Sequence, residues 1–259
     1  MHRVSRIPHL PLVDSAPDDI AFPKLVRTNS RQSTSDTDVD HQLFVVAHLL
    51  AAGYWLGTDL AVYHISGAIA DGRRPAVVRS FAAHIMLLLD MVPRTTLILT
   101  FALGFTLAIR LGLMPTAAAW LPWLWALALA WLALTWAVFR NERTPLGAAL
   151  ARVDFGLRVL ILAGCLWLAV DAHLAGGLVV QAPWLGAKLA ILGVLIGLGL
   201  IIRIQLKPFG ALLARSLSDQ ATEADHAAVA RLIAQVKVPV WLIWIGVVAA
   251  MVLGRLKPG

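Results

Sequence analysis

The sequence predicts an all-α fold: a polytopic membrane helical bundle of about six transmembrane helices with a disordered N-terminal tail. Three observations carry this reading. Of 259 residues, 59% are hydrophobic and only 14% are charged, where a soluble domain carries about 25% charged residues. Mean hydropathy is +0.76. The apolar residues are also gathered into runs near or above the ~20 residues that cross a hydrocarbon core, which favours several spans over one large soluble core.

Charge and cysteine usage narrow the class further. The net charge of +7 reads as Lys and Arg in cytoplasmic loops, so no nucleic-acid partner is expected. The single cysteine, Cys165, lies in an apolar run. That excludes a disulfide framework, a zinc knuckle and a CxxC motif.

Taken in order, residues 1–40 form the tail. They hold no apolar run long enough for a signal-peptide core, and RTNSRQSTSDTDVD is polar enough to predict disorder. The bundle then occupies 41–259. Its expected spans are 42–65, 76–112 with Pro93 inside, 117–139, 152–174, 184–206 and 238–256. Between the last two, FGALLARSL and EADHAAVARLIAQV are more polar, and 209–236 reads as an interfacial or cytoplasmic helical hairpin. Gly193 and Gly197 have the small-residue spacing that lets helices pack closely.

Orientation follows from the basic residues. Loop 1–2 holds Arg73, Arg74 and Arg79, loop 3–4 holds Arg140, Arg143 and Arg152, and loop 5–6 holds Arg203, Lys207, Arg215, Arg231 and Lys237. The opposite side has Arg110, Arg255 and Lys257. The odd loops therefore face the cytoplasm, with both termini outside.

A rise of 1.5 Å per residue then gives a ruler for depth. In the first span, AHLLAAGYWLGTDLAVYH, His48 falls in the outer third, Asp59 in the inner third and His64 at the inner boundary. His48, Trp55 and Asp59 share one helical face. Asp90/Arg94 and Asp154/Arg158 are i,i+4 pairs that can each share a face. Depth places them level with Asp59, so an inner cluster of Asp59, Asp90, Arg94, Asp154 and Arg158 is expected. A lone ionisable side chain costs at least about 2.5–3.5 kcal/mol at the membrane centre, so such groups pair. The cluster reads either as a structural ion-pair network or as a proton, ion or headgroup site. An outer group contains His48, Lys188, Asp171 and His173, with Trp55 and Trp167 nearby in depth. The tryptophans of the third span read as an interface belt with lipid-facing packing.

Neutral imidazole is a common metal ligand and a frequent axial ligand of haem. His48 admits a structural or a ligand role, and His173 is its possible outer-level partner. His64 and His84 form a second possible pair near the inner side.

HLLAAGYWLG, from His48 to Gly57, resembles the first-helix signature of the copper-resistance D family of bacterial inner-membrane proteins. GAKLAILGVLIGLGLIIRIQLKP, with Lys188, Arg203 and Pro208, is similar to that family's Lys-Leu helix, and ARLIAQVKVPVWLIWIGVVAAMVL fits its closing segment. The resemblance covers about 42–255 with gaps, and Thr58-Asp59 and LDMVPR depart from the pattern. It implies a helical bundle of the inner (plasma) membrane that handles copper, with His48 facing the metal. A looser similarity to the haem-containing membrane protoporphyrinogen oxidases rests on the VYH ending at His64 and on Lys188-Leu189.

Three functions follow as expectations. The first is copper or other metal-cofactor handling through His48, with a redox or metal-delivery protein as partner beside the lipid bilayer. The second is a b-type haem subunit for electron transfer. The third is a scaffold without chemistry of its own. Copper(I) prefers sulfur ligands, and only Met86 and Met91 lie close together in a span. No phosphate loop or other feature indicates a hydrolase, kinase or nucleotide enzyme.

Overall fold

A computed structural model describes residues 25–174 and 177–257, with side chains from residue 39 onward. The expected tail therefore falls largely outside the described residues. Every regular element among them is helical.

Helix α1 spans Leu25–Ala70, and its apolar part is Val39–Ala70. The second span, Ala76–Arg110, is two helices, α2 (Ala76–Leu89) and α3 (Met91–Arg110), parted at Asp90. Pro93 explains the break. It has no N–H to give the preceding turn, and its ring crowds the carbonyl four residues back, which kinks or breaks a helix. A short turn of 3-10 helix, Pro115–Trp120, leads into α4 (Leu121–Arg140).

Helix α5 spans Pro145–Asp171, so it begins a full two turns before the expected start at 152. Thr144 supplies the missing signal: its hydroxyl accepts from the Gly147 N–H at 3.0 Å, and Pro145 follows at the first helical position. Helix α6 spans Pro183–Gln205. The segment 209–236 folds as α7 (Phe209–Ser216) and the opening turns of α8 (Glu223–Leu256). A capping box between Thr222 and Asp225 starts α8, which then runs through Pro239 as one helix into the last span. Among the described residues, six helical stretches are long and apolar enough to cross a membrane.

Helix α6 packs between α5 and α8. Gly193 and Gly197 make the first contact close: a Cβ on them would meet Leu166 and Leu162 of α5 at 3.1 and 3.2 Å. Gly246 does the same on α8, where a Cβ would meet Leu195 at 2.7 Å. The apolar core is in three parts. The central one joins Trp55, Phe101, Trp131, Ile161, Ile196 and Ile243. One end is closed by Ile69, Met86, Phe209, Val229 and Ile233. The other is closed by Ala108, Met114, Ala172, Val180 and Leu189. Outward, Phe81, Trp123 and Leu160 are exposed. An apolar exterior of this kind is what a lipid-embedded bundle presents.

Candidate functional site

Two polar groupings lie inside the bundle. The first is a set of charges on α1, α2, α3, α5 and α6. Asp154 on α5 is completely buried. It accepts hydrogen bonds from the Nε of Arg158 at 3.0 Å, from Arg203 of α6, and from the Trp131 indole of α4 at 3.0 Å. The Arg158 guanidinium also lies 5.2 Å from the centre of the Trp131 ring, a cation–π contact. Arg94 of α3 pairs separately with Asp90.

Asp59 makes no ion pair among the described residues. Its Oδ2 accepts from the Trp244 indole of α8 at 3.1 Å. Of the five residues expected in the inner cluster, Asp90 pairs with Arg94 and Asp154 with Arg158, while Asp59 makes its contact with Trp244 instead. Sequence reasoning missed three members. Arg203 was assigned to a cytoplasmic loop, and Trp131 to the lipid-facing belt. Trp244 had no signal at all. With Arg203 included, the set holds three carboxylates and three guanidiniums and is formally neutral.

The second grouping lines a cavity of about 670 Å³ between α1, α3, α6 and α8. His48 and Lys188, expected at one level, both face it, as does Trp55. The Nδ1 of His48 is buried without a hydrogen-bond partner among the described residues. Glycines hold both side chains in place. A Cβ on Gly104 of α3 would meet His48 Cε1 at 3.0 Å, and one on Gly254 of α8 would meet Lys188 Nζ at 2.9 Å. Met114 and Met251 also line the cavity. Neither was expected there, because Met114 follows a helix end and Met251 lies in the last span, far from His48 in sequence.

His41 also lines the cavity, whereas the histidines expected as partners of His48 or of each other lie elsewhere. His173 is exposed at the end of α5, with its Nδ1 2.8 Å from the Ala169 carbonyl of its own helix, and it does not line the cavity. Its neighbour Asp171 is buried and accepts the backbone N–H groups of Leu178, Val179 and Val180 at 2.8–2.9 Å. That carboxylate closes the α5–α6 loop. His64 is exposed, with Nδ1 2.8 Å from the Leu60 carbonyl, and His84 is exposed on α2. Trp167 is exposed as well. No group of three or more His, Cys, Asp or Glu side chains arranged to hold a metal occurs among the described residues.

Arg79, assigned to a loop by its charge, is instead buried. It donates to the Ile69 carbonyl at 2.9 Å, the Ser216 carbonyl at 3.1 Å, the Ser216 hydroxyl at 3.1 Å and His226 Nδ1 at 3.0 Å. Ile69 and Ser216 lie at the C-terminal ends of α1 and α7, where carbonyls lack partners within their own helix. One guanidinium therefore ties two helix ends to the start of α8.

The fold and its interior define a multi-pass helical membrane protein with a neutral buried charge cluster and a ligand-sized cavity. No family model, curated protein or solved structure matches the chain.

Proposed function

We propose that this chain handles a metal at His48, inside the cavity between α1, α3, α6 and α8. One observation carries the reading: His48, whose buried Nδ1 has no hydrogen-bond partner among the described residues, is one of the residues lining a chamber of about 670 Å³. A buried polar atom left without a hydrogen bond calls for an explanation, and an absent ion or ligand is one. The donors nearby fit copper(I) in kind, since Met114 and Met251 bring thioethers into the same chamber and copper(I) favours soft sulfur alongside imidazole.

Lys188 sets the strength of such a site. Its ammonium shares the chamber with His48 and opposes a cation there. Weak, exchangeable binding follows, which suits transfer to a metal-delivery partner better than storage. In the orientation that the basic loops favour, the cavity opens on the outer face of a bacterial inner membrane, beside the ends of α1 and α8. The resemblance of HLLAAGYWLG to the copper-resistance D signature supports the same assignment.

The haem b alternative has less behind it, because His64 and His84 are both exposed and His48 does not share its cavity with His173. A single preparation tests these readings. Full-length protein in detergent is titrated with copper(I) against a chromogenic chelator, and its absorbance spectrum is taken. Copper(I) binding in the wild type, weakened in His48→Ala by about tenfold or more, is expected, since losing even an outer-shell partner costs about 10–100-fold in metal affinity. A Soret band lost in His48→Ala would replace copper by haem. Unchanged copper affinity in His48→Ala would overturn the metal assignment and leave the scaffold reading.

A further inference from the structure

Lys188, like Asp59, forms no ion pair among the described residues, and of the two it is Lys188 that lines a cavity. Asp90 pairs with Arg94, and Asp154 pairs with Arg158 and Arg203. No carboxylate among the described residues pairs with Lys188. An ionisable group within a membrane bundle pairs with an opposite charge or marks a ligand pathway. Lys188 faces a cavity, which supplies the second alternative.

The cavity is graded in polarity along the bundle axis. Arg255 and Lys257 line it at the end of α8, and Lys188 reaches it from α6 with its Nζ against Gly254. Deeper, Trp55, Phe101, Leu195 and Val247 line it, and all four are buried apolar residues of the central core. No Asp or Glu lines it among the described residues. Its volume of about 670 Å³ falls within the roughly 300–1,000 Å³ of small-molecule sites. A cationic upper part over an apolar floor is complementary to one kind of molecule, an anionic head on an apolar body.

We propose that this cavity binds a single-chain lipophilic carboxylic acid, with Lys188 as the counter-ion of its carboxylate and the apolar floor receiving its chain. The acid enters from the lipid phase or the outer surface past Arg255 and Lys257. It completes the charge balance that the protein leaves open at Lys188. The inference requires no metal at His48.

The test uses full-length protein in phosphatidylcholine nanodiscs, with a chelator present so that metal binding plays no part. A fluorescent polyene fatty acid is titrated into the wild type, Lys188→Gln and Lys207→Gln, the last an exposed cation outside the cavity. Saturable binding is expected, weakened at least about thirtyfold in Lys188→Gln and unchanged in Lys207→Gln, because removing one partner of a buried charge pair leaves the other unpaired. The matching fatty alcohol on the wild type gives a reading independent of how any variant folds, and it should bind far more weakly than the acid. Palmitate should displace the probe, and phosphatidylglycerol in the disc should not. Equal affinity for acid and alcohol, unchanged affinity in Lys188→Gln, displacement by phosphatidylglycerol, or no saturable binding would each overturn the proposal. A failed copper titration with successful acid binding would remove the metal reading and leave this one standing.

Discussion

Arg203 reaches from the last turn of α6 to the Oδ2 of Asp154, a carboxylate 49 positions earlier that has no exposed surface. Asp154 thereby serves two guanidiniums and one indole from three helices, and it is the point through which α4, α5 and α6 are fixed to one another. Removing the charge of such a group leaves its partners buried and uncompensated, which costs about 3–5 kcal/mol.

Asp154→Asn is therefore expected to lower stability by about 3–5 kcal/mol, measured by reversible unfolding in mixed micelles. Trp131→Phe leaves both ion pairs of the same carboxylate in place and removes its indole hydrogen bond, worth about 1.5–3 kcal/mol for a charged acceptor, along with part of the ring packed in the core. Finding the two variants equally stable would contradict the central place given to Asp154.

At the opposite end of the bundle from the cavity, Arg79→Gln should loosen the junction of α1, α7 and α8. Each charged hydrogen bond lost there is worth about 1.5–3 kcal/mol, and the loss falls on a small local unit rather than on the whole bundle. Hydrogen exchange should accelerate across 209–226 while the α5–α6 interface keeps its protection. Uniform acceleration throughout the chain would show that Arg79 supports the bundle globally.

Topology can be read with a single introduced thiol. Cys165, the one native cysteine, is buried, so Cys165→Ala gives a clean background. Leu178 in the α5–α6 loop and Asp219 in the α7–α8 loop are both exposed. A membrane-impermeant maleimide applied to intact cells should label Leu178→Cys at once, and Asp219→Cys only after lysis. The reverse pattern would invert the orientation derived from the basic loops and turn the cavity toward the cytoplasm.

Depth was legible in the sequence; direction around each helix was not. Asp90/Arg94 and Asp154/Arg158 declared themselves by four-residue spacing, which fixes both members of a pair on one face. His48 and Lys188 matched by height alone, counted from opposite ends of their spans. Arg203 and Arg79 went unrecognised for a different reason. Each lies within about a turn of a helix end, where a basic residue reads as a solvated loop charge, and only tertiary packing turns its long side chain inward. Trp131 and Met114 show the same gap. Nothing in an apolar run says which aromatic or sulfur faces protein and which faces lipid, because both surroundings are equally apolar.

The charge cluster also bears on how the chain is made. Asp90 with Arg94, and Asp154 with Arg158, each cancel within their own span, whereas Asp59 brings a formal negative charge into the membrane with α1. The donor that Asp59 meets in the folded bundle, the Trp244 indole, lies on α8, 185 positions later. During biosynthesis that contact therefore waits for the closing span, so this carboxylate of α1 gains its side-chain partner only when the last helix arrives.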